Sequence, residues 1–237
     1  ELKEKLKITT LKNDYNVKSK ELFALENKVN ILKVNIDSNA SLPKSVNTII
    51  NSKALSGIHN TIGNLITVND AHKLAIKASL AGASNFIVTD DFSCAKRAIN
   101  YLKNFHLGRA TFFPLDTIKS RYIDESSFNK IKSLNGFIGI ASDLVNYDKK
   151  YKNIIENQLG NVIIVETIDE LDSIGKIVNF KFKIVSLEGD ILFPGGAVSG
   201  GEASSNSDDK LSLLKLTNEY NDKKALLESI NVTLENA

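Results

Sequence analysis

Residues 193–202 read "FPGGAVSGGE" and hold Gly195, Gly196, Gly200 and Gly201, four of the 13 glycines in 237 residues. Two glycine pairs three residues apart suit several kinds of chemistry. Bare backbone N–H groups can cradle a phosphate. Absent side chains also let a second backbone, or a second chain, come close. A phosphate-binding loop needs Lys and then Ser or Thr after its last glycine, whereas Gly201 is followed by Glu202 and Ala203. The G-x-G-x-x-G spacing of a dinucleotide site is absent as well. Other reactive groups are sparse. His59, His72 and His106 are far apart, with no Cys or acidic motif at metal-ligand spacing. Cys94 stands at an expected helix start, where a thiol is either activated by the helix terminus or simply buried. Asp90-Asp91 and Asp208-Asp209 read as helix-start acids, favoured by the helix dipole, rather than as a catalytic pair.

Basic residues offer a different chemistry. Lys96, Arg97 and Lys103 fall on one expected helix, Arg109 follows it, and Lys119 and Arg121 come after "PLD". "DKKYK" at 148–152 adds Lys149, Lys150 and Lys152. Each cluster is either a solvated face or a set of phosphate contacts, since sequence-independent DNA binding needs only reachable cations. "VSGGE" is similar to the Ser-Gly-Gly core of an ABC-type ATPase signature, but without a phosphate-binding loop it would be an isolated half-site.

Composition narrows the choice. Hydrophobic residues make up 42% and charged residues 24%, ordinary for a globular chain long enough for one or two domains. The formal net charge is only +2, so any nucleic-acid contact must come from a local patch. The single cysteine rules out an internal disulfide and fits a reducing compartment. No run of 18 apolar residues exists, so no membrane span is expected. The opening "ELKEKLKITT" has the character of a helix interior, so the sequence is expected to be cut from a longer chain.

These groups need elements to position them. The first 36 residues contain neither Gly nor Pro, and from Leu22 the apolar residues Leu25, Val29, Leu32 and Ile36 step by 3, 4, 3, 4. Upstream, Ile8, Leu11 and Tyr15 continue the stripe, and Lys18 takes one seam position. Near the C-terminus Leu213, Leu216, Tyr220, Lys223, Leu227, Ile230 and Leu234 step in the same way. This is the a/d seam of a coiled coil, and two such helices at opposite ends of one chain can pair antiparallel as a single arm. "SNASLPKSVN" (38–47) and "SSNSDDK" (204–210) read as linkers.

Between the arms lies an internal repeat. Leu65, Ile76 and Leu80 recur as Leu144, Ile155 and Leu159, a constant offset of 79 residues. Each copy continues with a strand ("NFIVT", "NVIIVE"), a helix ("CAKRAINYLKN", "LDSIGKIV") and another strand ("RATFF", "KIVSL"). Alternating helices and strands predict two small mixed sheets with helices packed on them, and "SLEGDILF" (186–193) predicts a hairpin turning near Gly189-Asp190. The fold class is α+β, two related subdomains in tandem between coiled-coil arms. The expected boundaries are 1–40 for the first arm, 41–135 and 136–203 for the two subdomains, and 204–237 for the second arm.

The stretches "IVTDDFSCAKRAINYLK", "GRATFFPLDTIKSR", "FIGIASDLVNYDKKY", "LGNVIIVE" and "LEGDILFPGGAVSGG" together resemble the hinge region of SMC proteins, bacterial branch, over roughly 57–201. "ASLAGASNFIVT" departs from the family pattern in lacking the Gly-Gly and Gln that often precede this strand. The resemblance implies a homodimerisation hinge joining two coiled-coil arms of a chromosome-organising ATPase. It implies that Gly195, Gly196, Gly200 and Gly201 belong to the dimer interface, beside a strand edge formed by Ile191–Phe193 or by its first-half counterpart. DNA binding through Lys96, Arg97, Lys103, Arg109, Lys119 and Arg121 is expected to be secondary. No catalytic residue, metal or cofactor is expected here; ATP and Mg²⁺ belong to the ATPase heads of the full protein, with kleisin and accessory subunits as further partners. A cytoplasmic, nucleoid-associated protein follows from the same resemblance. Two other readings stay open: a DNA-binding module whose dimerisation is incidental, and a nucleotide-binding enzyme fragment built on the glycines.

Overall fold

A computed structural model describes residues 2–37, 42–201 and 206–236. The chain divides into two compact units, residues 1–41 with 204–237, and residues 42–203. The first unit holds the first and last of eight α-helices among the described residues, α1 (Leu2–Asp37) and α8 (Asn206–Glu235). Its seam follows the heptads. Leu25, Val29 and Ile230 are buried, and Ile8, Leu11, Tyr15, Leu22, Leu32, Leu213, Leu216, Tyr220, Leu227 and Leu234 are half-buried. The helices run antiparallel, because Glu4, Ile8 and Leu11 line one groove with Val232, Thr233 and Asn236. Lys223 reaches Glu21 at 3.5 Å and Glu219 at 3.6 Å, while Lys18 lies 3.8 Å from Asp14. The two seam lysines therefore share one layer of the arm, surrounded by carboxylates.

The second unit opens with α2 (Lys44–Asn51), directly after Pro43, and α8 of the first unit starts at Asn206, so helix reaches into both segments expected as linkers. For α2 the reason is tertiary: Val46 and Ile49 are buried against Ala98 and Leu102, and burial outweighs a polar, proline-containing local sequence. Then come β1 (Ile58–Thr61), β2 (Thr67–Val68), α3 (Lys73–Leu80), β3 (Ile87–Thr89), α4 (Phe92–Asn104) and β4 (Phe112–Pro114). After the short α5 (Glu125–Ile131) the order repeats as β5 (Phe137–Ile140), β6 (Val145–Asn146), α6 (Lys152–Leu159), β7 (Val162–Val165), α7 (Ile168–Ile177) and β8 (Lys183–Ser186). Only the second copy adds β9 (Ile191–Leu192) and β10 (Val198–Ser199).

The sheets repeat too. In β1-β3-β4, β3 pairs antiparallel with β1 and parallel with β4; in β10-β9-β8-β7-β5, β7 pairs antiparallel with β5 and parallel with β8. The antiparallel β2–β6 ladder, Thr67 opposite Asn146 and Val68 opposite Val145, joins the copies. Neighbouring strand residues face opposite sides. Ile87 points to α2 and α4, while Val88 points inward. Likewise Ile163 and Val165 face α5 and α7, while Val162 and Ile164 point inward. The inward residues meet α3 and α6 in one central core drawn from both copies, with Ile76, Leu80, Ile154, Ile155 and Leu159 all buried.

Local signals start the helices. Asp91 caps α4 by accepting the Cys94 N–H at 2.8 Å, and Thr167 with Glu170 forms a capping box on α7. Burying all four residues of β7 matches a strand covered on both faces.

Candidate dimer interface and basic surface

The glycine stretch folds as the hairpin that ends the larger sheet. The expected turn before it is present: β8 pairs antiparallel with β9, Ile184 opposite Leu192, around Gly189. The chain then turns again. The Gly196 N–H donates to Phe193 O at 2.9 Å, with Pro194 and Gly195 between them and Gly195 at φ +94°. Proline followed by a residue of positive φ is a type II turn, which is why glycine stands there. Gly196 (φ +106°) follows, and the chain returns as β10, Val198 opposite Leu192 and Ser199 opposite Ile191. The Gly195 N–H is held by Phe180 O at 2.9 Å.

The hairpin corrects one expectation. Ile191 is not on a free strand edge, since β9 lies between β8 and β10 and the open edge has moved one strand outward. A two-residue strand after a glycine turn has almost no hydrophobic signal, so the sequence hid it. Both residues of β10 are exposed, Val198 at 61%, and among the described residues β9 is its one strand partner. In the smaller sheet β4 bonds only to β3. Gly195 and Gly201 are exposed, and space is open where their Cβ atoms would stand. Gly200 differs, because a Cβ there would collide with the carboxylate of Asp190. That buried carboxylate accepts from Ser186 Oγ at 3.1 Å, so Gly200 packs on a polar pair inside the same subunit. Phe193 is half-exposed, with Lys183 Nζ 5.8 Å from its ring centroid. Burial lowers the pKa of Lys183, whose ammonium donates to Ser79 O at 3.2 Å.

Lys96, Arg97, Lys103, Arg109, Lys119 and Arg121 are all exposed, but they do not form one cluster. Lys96 and Lys103 share a stripe of α4 with exposed Phe92 and Ile99, and Arg97 lies about 100° round the helix. Arg97 also donates to Cys94 Sγ at 3.0 Å. Lys119 and Arg121 belong to a segment laid along α6: Asn157 donates to Lys119 O at 2.8 Å, Ser120 to Asn153 at 3.0 Å, and the Arg121 N–H to Glu156 O at 3.3 Å.

Two arrangements were not visible from the sequence. His59 Nδ1 meets the Tyr151 hydroxyl at 2.7 Å and its Nε2 meets Asp90 at 2.6 Å, tying β1 to the second copy. Its partners are 92 and 31 residues away in the chain, beyond any local pattern. Glu156 is buried, with Lys152 at 2.8 Å on Oε1. Burial alone would raise its pKa, but Lys152, through its hydrogen bond and charge, together with the nearby Tyr122 and Ser120 hydroxyls outweighs that and holds it below the usual carboxylate value. Burial also pushes the Cys94 thiol up, which makes it an unreactive core group. Among the described residues no three His, Cys, Asp or Glu side chains gather as metal ligands, and no helix is long and apolar enough to cross a membrane.

The family model described as SMC proteins Flexible Hinge Domain matches residues 55–173. The Chromosome partition protein Smc of Bacillus subtilis (strain 168) is 34% identical over 190 residues, 77% of this chain and 16% of that protein. Its counterpart from Methanocaldococcus jannaschii is 37% identical over 193 residues, 80% of this chain and again 16% of the relative. The chain thus spans a small part of the relatives it matches. Among solved structures, an asymmetric dimer of the Geobacillus stearothermophilus SMC hinge domain aligns over 99% of this chain and 96% of that one, with 29% identity and TM-score 0.70. The Pyrococcus furiosus Smc hinge domain with an extended coiled coil covers 98% of this chain and 84% of its own, with 26% identity and TM-score 0.59. A doubled α/β unit whose larger sheet ends in the glycine hairpin, an antiparallel arm from the two chain ends, and these matches lead to one conclusion: the chain belongs to the SMC hinge family.

Proposed function

We propose that this chain is the homodimerisation hinge of a chromosome-partition SMC protein. Residues 41–135 and 136–203 act as its two hinge subdomains, and 1–40 with 204–237 as the arm. One observation carries the reading: β4 is an end strand of the smaller sheet, opposite β1, and the nearly bare β10 is an end strand of the larger sheet, opposite β5. An open edge presents unpaired N–H and C=O groups to any strand that fits. A two-fold axis that sets β10 of each copy against β4 of its partner satisfies both edges twice and closes a ring. Gly195, Gly196 and Gly201 flank β10, where they leave space for the approaching chain, and Gly200 joins the interface from the strand end packed on Asp190 of its own subunit. Ile191 in β9 and Phe193 at the start of the turn support the hairpin.

The six exposed cations on and after α4 supply weak, sequence-independent DNA contact, secondary to dimerisation. In the full protein, ATP and Mg²⁺ serve ATPase heads outside this chain, kleisin and accessory subunits complete the complex, and it works in the cytoplasm on the nucleoid.

The direct test is Val198→Asp. The position is exposed and needs no positive φ, so the subunit fold survives, while a charge buried against β4 finds no partner there. The expected cost is about 2–3 kcal/mol at each of two contacts. Each 1.4 kcal/mol is about tenfold in dissociation constant. Sedimentation velocity should show a monomer at micromolar concentration with unchanged circular dichroism. A fully dimeric variant would sink the edge-pairing reading.

A further inference from the structure

We propose that a groove beside α3 is a docking site for an extended acidic segment of a partner protein that inserts an aromatic side chain. The groove has a volume of about 380 Å³ and is lined by buried Ile76 and Leu80, half-buried Ile66 and Val68, and exposed Lys73 and Lys77. That volume lies within the range of about 300–1,000 Å³ typical of ligand sites.

The internal repeat shows what such a space takes. The offset of 79 residues sets Lys73 against Lys152, Ile76 against Ile155, Lys77 against Glu156, and Val68 against Tyr147. Asn69 and Asp148, the residues after Val68 and Tyr147, cap equivalent short helices, so the correspondence holds in three dimensions. Beside α6 the chain fills the space itself. Tyr147 packs half-buried on the central core, near the charges of Glu156 and Lys152. Tyr122 arrives on the segment laid along α6, with Lys152 Nζ 5.9 Å from its ring centroid. Lys152 pairs with buried Glu156 at 2.8 Å. The second copy thus provides aromatic rings, an extended backbone and a carboxylate for its lysine.

Beside α3 each of these parts is missing. Val68 has no ring, and Lys77 replaces the carboxylate, so the rim carries two cations. Lys73 is engaged by Asp70 at 3.1 Å, but Asp70 is 93% exposed and its pairing with Lys73 is weak and exchangeable. The chain after β8 brings Gly189 against α3, its Cβ position 3.6 Å from Ala78 Cβ, before it continues into β9. An occupant that complements this site brings the ring for the apolar floor and carboxylates for Lys73 and Lys77. An apolar floor with a cationic rim favours an acidic, aromatic peptide over duplex DNA, whose bases are stacked in the helix and leave no ring free to bury there.

The test uses the whole 237-residue chain and the peptide acetyl-Glu-Asp-Tyr-Glu-Asp-amide, followed by amide chemical shifts. Saturable shifts confined to Val68, Ile76, Lys77 and Leu80 are expected, with a dissociation constant at or below about 1 mM. Lys77→Glu, at an exposed position, should weaken binding by about tenfold or more, since it replaces attraction with repulsion. Val68→Tyr restores the ring of the other copy and should abolish binding. The uncharged peptide acetyl-Gln-Asn-Tyr-Gln-Asn-amide should bind several-fold more weakly. Equal binding of the two peptides, binding unaffected by Lys77→Glu, or stronger shifts of the same amides by a short DNA duplex would each overturn the proposal.

Discussion

Glu156 shows how much a single side chain can organise. It is buried, takes Lys152 on one oxygen, and its helix backbone receives the Arg121 N–H. Its folded pKa lies below the ordinary 4.5. A depressed carboxylate contributes stability above its unfolded pKa and loses it as pH falls through the folded value. Glu156→Gln is therefore expected to cost about 1–2 kcal/mol at neutral pH. The gap between variant and parent should close as the pH drops below the ordinary 4.5. Thermal unfolding of both proteins across that range checks this, and a pH-independent gap would mean the carboxylate's charge plays no part. Residue-level features were legible only where they are local. Gly189-Asp190 announces a turn and Asp91 announces a helix start, because both act within four residues. The pairings of His59 and the docking of 119–121 on α6 join distant parts of the chain, so no spacing rule reveals them.

At the scale of elements, the arm was the most readable part. Seam positions named from steps of 3 and 4 are half-buried or buried wherever their side chains are described. The seam's two lysines fall in one layer, and their exposures of 33% and 40% show side chains partly drawn into it. A polar layer fixes register at a cost in stability. Replacing both, Lys18→Leu with Lys223→Leu, should stabilise the arm by about 2–4 kcal/mol, the gain from burying two leucines. The check is the helical melting transition, which should rise; an unchanged or lower midpoint would show that these lysines do not face each other across the seam. The sheets were less readable. Strands β2, β6, β9 and β10 have two residues each, too few for a period of two to register. Their existence depends on neighbours supplied by the fold.

For the whole molecule, the net charge of +2 limits what DNA can do. The six basic residues are divided between α4, the loop after it and the segment laid along α6, so a DNA backbone meets only some of them at once. With about four phosphates neutralised, log affinity should fall with log salt at a slope of about −3 to −4. Lys96 and Lys103 share a face and Arg97 is drawn to Cys94, so Lys96→Glu with Lys103→Glu should reduce the slope by about 2. Fluorescence anisotropy across a salt series measures it. An unchanged slope would move the contact away from α4, and a strong preference for one sequence would contradict backbone-only contact.

The central core has a consequence for how the protein came to be built. Ile76 and Leu80 from one copy and Ile154, Ile155 and Leu159 from the other are buried in the same cluster, and the β2–β6 ladder takes one strand from each. Neither copy owns a complete hydrophobic interior. A single copy standing alone would expose a face of isoleucine and leucine to water, the kind of surface that drives association. An ancestral half-length chain with this architecture would have needed a second identical chain to cover that face. On that view the covalent repeat is a fused dimer. Fusion then freed the two copies to diverge, one toward a filled flank at Tyr147 and Glu156, the other toward an open one at Val68 and Lys77.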